Sequence, residues 1–241
     1  MSNKFKENLR LNKYISNSGF CSRRKADEYI LNNLVLINGK VINDFSFIVS
    51  EFDNVIVNGV KIIPNKKKYY VLNKPKNYIC TVSDEKNRNT VVDILPQELK
   101  SGIHPVGRLD RNTTGVLVLT NDGELTFKLT HPAFNVSKIY KAYIDKPINT
   151  KDIKLLKEGI HLEEKLEKFD EIYIVENSNK LSLIVEIHSG KNHFIKKMFE
   201  KLNYRVKSLD RLSFSGLTYE GLKRGEYRAL SPKEVNFLKK L

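Results

Sequence analysis

The stretch that decides the fold is HPVGRLDRNTTGVLVLTNDGEL, which spans residues 104–125. Its run Val116–Leu119 is apolar at every position, a pattern typical of a central strand that is covered on both faces. Just before this run, Arg108 and Asp110 lie two residues apart. An extended backbone would point both side chains to one face and Leu109 to the other. The sequence therefore predicts a carboxylate beside the middle of a sheet, in either a salt-bridged turn or a catalytic site.

The charge of the chain indicates the class of its partner. The 241 residues include 42 Lys and Arg against 28 Asp and Glu, which gives a net charge of +14. Such an excess favours a polyanionic partner, and nucleic acid above all, because phosphate contacts release bound counterions. A genome with a biased codon composition would also produce a chain rich in lysine and asparagine. Charge alone leaves both explanations open.

Cysteine content and apolar patterning indicate the compartment. Cys21 and Cys80 are far apart, so they form neither a disulfide framework nor the spacing of a zinc site, and they fit a reducing environment. The opening residues MSNKFKENLRLNKY lack the apolar core of a signal peptide. No apolar run approaches the length of a membrane span. The sequence therefore predicts a soluble, cytoplasmic protein that does not bind a membrane.

Residues 9–63 predict a small domain with the order helix, helix and hairpin. Gly19 suits the left-handed position that ends a helix, and Ser22 can cap the helix that follows. Asn-Gly pairs at residues 38–39 and 58–59 suit the tight turns of β-hairpins. The first turn of the second helix carries three cations, which oppose the helix dipole. They indicate either contact with an RNA backbone or a solvated face, and they are Arg23, Arg24 and Lys25.

A second, larger domain is predicted after Pro64–Lys68, where proline, asparagine and lysines are typical of a linker. Residues 69–241 contain many strand patterns and few helical ones. Because helices are too sparse to alternate with strands, the predicted class is α+β with a mainly antiparallel mixed sheet. The predicted strands are Tyr69–Asn73, Ile79–Val82, Val116–Thr120, Lys138–Ile144, Glu171–Glu176, Leu181–His188 and Val206–Ser213. The predicted helices are Glu124–Leu129, Lys151–Glu158, Asn192–Leu202 and Lys233–Leu241.

A family resemblance narrows the choice between a turn and a catalytic site. GRLDRNTTGVLVLTNDGEL resembles the signature segment of the RsuA/RluB-type pseudouridine synthases, which isomerise uridine in ribosomal RNA. NKPKNYICT, KIYKAYI, GKNHFIKKMFEKLNY and LKRGEYRALSPKEV are similar to further motifs of that family and follow in family order. The N-terminal LNKYISNSGFCSRRKADEYI resembles an S4-type RNA-binding domain. The resemblance covers essentially the whole chain and is closest to the large-subunit members.

The resemblance implies a role for individual residues. Asp110 matches the family's catalytic aspartate, Tyr140 its active-site tyrosine and Lys196 the basic partner of the aspartate. Arg108 matches the arginine that helps to hold the extruded nucleotide. The reaction breaks and remakes one bond without a redox step or an energy input, so no cofactor and no metal are expected. The residues expected to bind RNA are Lys13, Arg23, Arg24, Lys25, Lys138 and Lys191.

The chain departs from the family pattern at three positions. Asn77 stands where glycine is usual in a turn, and asparagine tolerates a positive φ. Phe194 replaces a glutamine, which removes a hydrogen bond. Lys196 replaces a more frequent arginine, so a point charge stands where a planar fork is usual. The charge beside Asp110 is therefore expected to persist with a different geometry.

Three alternatives to a large-subunit synthase remain open at this point. The first is a small-subunit synthase of the same family. The second is a non-catalytic protein that binds RNA or assists ribosome assembly, for which Asp110 would be unnecessary. The third is a hydrolytic N-glycosidase, which usually needs a second carboxylate. Asp122 and Glu124 are near in sequence, but they fit better as acids in the first turn of a helix. The expected partner is ribosomal RNA or an assembly intermediate, bound by a monomer.

Overall fold

A computed structural model describes residues 8–241, whose internal contacts divide into two units. The first unit runs to Lys68 and includes Leu95–Ile103. The second comprises Tyr69–Ile94 and His104–Leu241. The short segment 95–103 thus belongs to the first unit, whereas the sequence interpretation placed 69–241 in one domain. Among the described residues, no helix combines the length and apolar composition that crossing a membrane requires.

The first unit has the predicted order of two helices followed by hairpins. Ser22 caps the second helix by accepting a hydrogen bond from the N–H of Lys25 at 3.3 Å. Asn38 and Asn58 have φ angles of 52° and 46°, which confirms the tight turns expected of Asn-Gly. The elements are β1 (Leu9–Arg10), α1 (Leu11–Asn17), α2 (Arg23–Leu31), β2 (Val35–Ile37), β3 (Lys40–Val41), β4 (Ile48–Val49), β5 (Val55–Val57), β6 (Val60–Lys61) and α3 (Gln97–Lys100).

The core of the first unit lies between its helices and a four-stranded antiparallel sheet of order β3-β2-β5-β6. Leu11 and Ile15 of α1 and Ala26 and Ile30 of α2 are fully buried. They share one apolar cluster with the inward residues of the strands. Because helix residues three or four apart lie on one face, each short helix buries one stripe and leaves the other to solvent.

The second unit is built on a nine-stranded sheet. Its strands are β7 (Tyr69–Lys74), β8 (His104–Pro105), β9 (Thr114–Thr120), β10 (Lys138–Ile144), β13 (Glu171–Ile174), β14 (Ser182–Ile187), β15 (Val206–Phe214), β16 (Leu217–Thr218) and β17 (Tyr227–Ala229). A separate hairpin contains β11 (Ile160–Leu162) and β12 (Lys165–Glu167). The helices are α4 (Gly123–Thr130), α5 (Thr150–Glu158), α6 (Phe194–Lys201) and α7 (Pro232–Lys239), with a 3₁₀ turn at Pro132–Phe134.

The order of the main strands is β13-β14-β10-β15-β9-β7-β17. Among the described residues, only the pair β15 and β9 is parallel, so the predicted α+β class with a mainly antiparallel mixed sheet is confirmed. All seven residues of β9 are buried, as expected of a central strand. Val116 and Val118 pack in one cluster with residues of α4 and α7. Leu117 and Leu119 alternate with them and are fully buried on the opposite face.

The predicted strand at Ile79–Val82 is wrong. Ile79 forms a single isolated bridge with Thr90, and the segment around it consists of turns and bends. Local hydrogen bonds take the place of a ladder, since the hydroxyl of Thr81 donates to the carbonyl of Ser83 at 2.8 Å. Asp84 in turn accepts from the backbone N–H of Arg88 at 2.9 Å. A β-prone composition therefore did not determine the structure of this loop.

Candidate active site

A cavity of about 480 Å³ opens in the second unit beside the start of β9. It lies within the size range of small-molecule sites, roughly 300–1,000 Å³. Its walls come from the segment before β9, from β10 and β15, and from the stretch that joins β14 to α6. The structure brings together here every residue that the sequence analysis selected in the larger domain. These residues are Arg108, Asp110, Lys138, Tyr140, Lys191 and Lys196.

Asp110 is held from two sides. Its Oδ2 is ion-paired with Nζ of Lys196, and its Oδ1 lies 3.3 Å from Nε2 of His193. Leu109 is buried, so the backbone beside Asp110 is anchored while the carboxylate faces the cavity. The carbonyl of Asp110 accepts a hydrogen bond from the N–H of Thr113 at 3.0 Å, which closes the turn into β9. The carboxylate is 31% exposed, so it meets both solvent and its two basic partners.

Lys74 supports the same turn from inside the protein. Its side chain is fully buried, and Nζ donates to the carbonyls of Arg111 and Thr113 at 3.2 and 2.9 Å. Burial lowers the pKa of Lys74 to about 8, although the nearby charges of Cys80 and Asp110 act in the opposite direction. A buried ammonium with carbonyl partners thus fixes the two residues on either side of Asn112. It limits how far the backbone after Asp110 can move.

The start of α6 positions Lys196. Phe194 and Ile195 are buried and anchor the first turn, so the following lysine points toward the cavity. Phe194 fills the place of the family's glutamine with an edge-to-face contact to Phe169. His193 has a left-handed backbone with φ of 53°, a rare conformation for a residue with a side chain. The conformation places its ring within reach of Asp110.

Tyr140 forms part of the cavity wall on β10. It is 7% exposed and faces Val185 on one neighbouring strand and Arg211 on the other. The pairing of β10 with β15 shifts register between Ile139 and Tyr140. Such irregularities re-aim side chains and occur often beside active sites. The expected aromatic wall is therefore present at the position that the sequence indicated.

Lys138 and Arg211 place positive charge at the bottom of the cavity. Nζ of Lys138 donates to the carbonyls of Val136 and His188 at 2.8 and 3.0 Å. Burial, together with the nearby charge of Arg211, lowers the pKa of Lys138 to about 8. Arg211 is 2% exposed, and its Nε donates to the carbonyl of Val116 at 2.7 Å. Both cations are thus held by neutral carbonyl groups.

The rim of the cavity also carries positive charge. Arg108 is exposed and borders a second concavity of about 330 Å³, which Arg88 and Arg111 also line. Nε and Nη2 of Arg88 donate to the carboxylate of Asp84 at 3.1 and 2.6 Å. Lys191 is ion-paired with Glu167 at the end of β12. The surface around the cavity is therefore suited to a polyanion.

The cations selected in the first unit occupy α1 and α2. Arg23 and Arg24 are exposed in the first turn of α2. Lys25 is ion-paired with Glu28 at 2.5 Å. Lys13 is partly buried on α1. Three of these four cations, Arg23, Arg24 and Lys25, are therefore exposed on the surface of the first unit.

The sequence analysis did not select three residues that lie near Asp110. His193 and Lys74 lie inside segments that carried the family resemblance, but nothing in their spacing indicated contact with the turn. Arg211 did leave a signal. It follows Leu209 by two positions on a predicted strand, so it falls on the same inward face. A charged residue at an inward position of a strand is a candidate for a functional site.

Comparisons with known proteins show the family to which the chain belongs. The RNA pseudouridylate synthase family matches residues 68–201, and the S4 domain matches residues 9–62. The chain belongs to the RNA pseudouridylate synthase family. It is 37% identical over 236 residues to "Ribosomal large subunit pseudouridine synthase B" of Bacillus subtilis, with 96% of each chain covered. The predicted pseudouridine synthase activity and the N-terminal S4 domain are therefore confirmed.

Two further relatives show how far the similarity of this pseudouridine synthase extends. "Dual-specificity RNA pseudouridine synthase RluF" of Escherichia coli strain K12 is 34% identical over 238 residues, which cover 97% of this chain and 79% of the relative. A solved pseudouridylate synthase structure superposes with a TM-score of 0.69 at 28% identity. That match covers 95% of this chain and 99% of the other. Both units of the chain thus have counterparts in known synthases.

Proposed function

We propose that this synthase converts a uridine of large-subunit ribosomal RNA to pseudouridine, with Asp110 as the reacting carboxylate. The observation that carries the proposal is the position of Asp110. It lies at the edge of a cavity of nucleotide size, beside Tyr140, with one oxygen paired to Lys196. A turn that needed only a surface ion pair would not need a cavity or an aromatic wall. The similarity to the Bacillus subtilis large-subunit enzyme supports the choice of subunit.

The reaction requires an ionised carboxylate at the sugar. The C1′–N1 bond breaks, the uracil turns, and a C1′–C5 bond forms. Asp110 acts either by adding to C1′ as a nucleophile or by removing the proton from C2′ as a base. Both routes need the charged form of the carboxylate, with which the ammonium of Lys196 forms an ion pair. His193 restrains the second oxygen, so the carboxylate meets the sugar in one orientation.

The other cavity residues hold the nucleotide. The target uridine must leave the RNA stack to reach Asp110. Tyr140 lines the cavity, so its ring provides a surface on which the uracil stacks, and its hydroxyl takes part in the removal of the proton from C5. Arg108 and Lys191 contact the RNA backbone at the rim, where phosphates remain when the base enters. The ammonium of Lys138 adds positive electrostatic potential at the bottom of the cavity.

The reaction also determines which cofactors and which substrate the enzyme needs. Isomerisation rejoins the same two fragments, so neither a redox cofactor nor an energy source takes part. We propose that the enzyme acts as a monomer. The substrate is free ribosomal RNA or an assembly intermediate, which places the enzyme in the cytoplasm.

The test of this proposal is tritium release from RNA labelled at C5 of uridine. Isomerisation exchanges the C5 hydrogen with solvent, whereas binding alone or hydrolysis of the base does not. We expect the enzyme to release tritium from unmodified large-subunit RNA and not from small-subunit RNA. Release only from small-subunit RNA would overturn the choice of subunit. No release from either RNA or from assembly intermediates would contradict the function itself.

Removal of Arg23 and Arg24 should weaken RNA binding through electrostatics. We expect the double change Arg23→Ala and Arg24→Ala to make the slope of log affinity against log salt shallower by about 1 to 2. The matched control is Lys40→Ala with Lys61→Ala, which removes the same charge from exposed hairpin positions of the first unit. Filter binding over a series of salt concentrations measures both. Equal slopes for the two variants would refute a specific role for α2.

Lys138 should make RNA binding sensitive to pH near pH 8. Its pKa is lowered to about 8, so the folded protein loses this charge well below the pH at which an ordinary lysine does. Because the protonated form attracts a polyanion, affinity should fall as pH rises from about 7 to about 9. Lys138→Met should reduce this fall, and Lys74 should account for the part that remains. Lys141→Met, on the exposed face of the same strand, should leave the profile of the parent enzyme.

A further inference from the structure

Arg211 is a buried cation that pairs with no carboxylate within residues 8–241. The side chain is 2% exposed on β15 and lines the cavity that contains Asp110. No salt bridge to Arg211 is present among residues 8–241. A buried charge without an opposite charge is costly, and proteins normally pair it or use it. The substrate that fills the cavity therefore determines what the guanidinium contacts.

The contacts of the guanidinium leave both terminal nitrogens, Nη1 and Nη2, without an acceptor among the described residues. Nε donates to the carbonyl of Val116 at 2.7 Å, and the group lies 4.5 Å above the ring centre of Phe214. Nη2 is buried and has no hydrogen-bond partner within the part of the chain that the structure describes. Buried donors without a partner are rare in folded proteins and call for an explanation at each position. A hydrogen-bond acceptor on the bound substrate would provide such an explanation.

The depth of Arg211 identifies which part of a nucleotide it meets. The exposed Arg108 lies at the rim, where the phosphates stay, whereas the nearly buried Arg211 lies at the bottom. The base is the part of an extruded nucleotide that is farthest from the backbone, so it enters deepest. Tyr140 lines the same cavity and suits the face of a flat ring.

We infer that a terminal N–H of Arg211 binds a carbonyl oxygen of the extruded uracil, and that this contact strengthens as the glycosidic bond breaks. When the C1′–N1 bond breaks, its electron pair goes to N1 and spreads through the conjugated ring onto O2 and O4. When C5 bonds to C1′, the pair returns to the new bond. A fixed guanidinium in a low-dielectric pocket stabilises the transient negative oxygen. Arg211 is thus a further catalytic residue, and this inference rests on the proposed function.

The surroundings of Arg211 support a role toward a negative oxygen. Near it, Lys138 is half-buried and Lys74 is fully buried, and their ammonium groups donate to backbone carbonyls. Burial lowers the pKa of each of these lysines, and the nearby charge of Arg211 acts in the same direction. The three cations together give this part of the protein a positive electrostatic potential. Asp110, with Lys196 and His193 as partners, lies at the side of the cavity. A neutral base gains little from such a potential, whereas a base that carries developing negative charge gains much.

The test compares thio-substituted substrates in the parent enzyme and in Arg211→Lys. An RNA fragment carries 2-thiouridine or 4-thiouridine at the target position, because sulfur is a weaker hydrogen-bond acceptor than oxygen. In the parent enzyme we expect one of the two substitutions to slow the single-turnover rate by about 10²-fold. In Arg211→Lys, the plain uridine substrate should already be slowed by a similar factor, and the same thio substitution should add little. RNA affinity should change by less than about twofold, because the contact is strongest in the transition state.

Other outcomes overturn the inference in distinct ways. Equal thio effects in both enzymes, or none in the parent enzyme at either carbonyl, would show that Arg211 does not contact the uracil. A large loss of RNA affinity with a shallower salt slope would indicate a phosphate contact instead. Arg211→Gln provides a second variant if the lysine protein does not fold. If the parent enzyme releases no tritium from unsubstituted uridine, the proposed function itself is wrong. That result would reject the contact with Arg211 as well.

Discussion

The variant Asp110→Asn should bind RNA and fold like the parent protein, yet release no tritium from C5-labelled RNA. Asparagine keeps the shape of the side chain but can neither add to C1′ nor accept a proton as a carboxylate does. Removal of a reacting nucleophile lowers turnover by factors of about 10⁴ to 10⁶, so no product should appear within a normal assay. Single-turnover tritium release with excess enzyme measures the loss directly.

Two controls separate loss of chemistry from loss of structure. Asp145→Asn changes an exposed carboxylate that caps the backbone N–H of Arg205 and lies outside the cavity, so its turnover should match the parent enzyme. The midpoint of urea unfolding should change by the equivalent of less than about 1 kcal/mol for Asp110→Asn, because the ion pair with Lys196 is partly exposed. A large loss of stability with residual turnover would instead make Asp110 the anchor of a salt-bridged turn.

Much of this site was predictable because regular structure determines which way its residues point. Arg108 and Asp110 flank a buried Leu109, and alternation along an extended backbone places both at the cavity. Tyr140 sits on a strand whose buried face follows the same alternation. Lys196 lies in the first turn of a helix anchored by two buried residues. In each case the local pattern and the tertiary structure agree, which is the usual condition for a correct prediction.

The remaining features depend on contacts that no local pattern contains. His193 reaches Asp110 through a left-handed backbone, which the sequence around it does not require. Lys74 and the residues that it fixes are far apart in the chain. The segment 95–103 joins the first unit through long-range packing. Ile79–Val82 looked like a strand because its composition is β-prone, but side-chain hydrogen bonds to the backbone formed a loop instead.

The junction of β9 and β15 joins the turn after Asp110 to Arg211 and depends on one glycine. Gly115 lies beside Arg211 in the parallel register, with φ of 107°. A Cβ atom built there would lie 2.2 Å from the carbonyl oxygen of Arg211 and 2.6 Å from its backbone nitrogen. Next to it, the hydroxyl of Thr114 donates to Asp210 at 2.6 Å. At this position the two strands can approach so closely only because Gly115 has no side chain.

The variant Gly115→Ala should therefore lose about 3–5 kcal/mol of the free energy of unfolding, from backbone overlap and from the left-handed conformation together. The matched control is Gly221→Ala, whose glycine has φ of 77° and nothing within 4 Å of a new Cβ. It should lose only about 1–2 kcal/mol, because it has the conformational cost without the overlap. Urea unfolding followed by circular dichroism measures both variants. We also expect Gly115→Ala to lose turnover even where it remains folded, since separating β9 from β15 moves Arg211 away from Asp110. Equal losses of stability in the two variants would show that the close approach of the strands is not required.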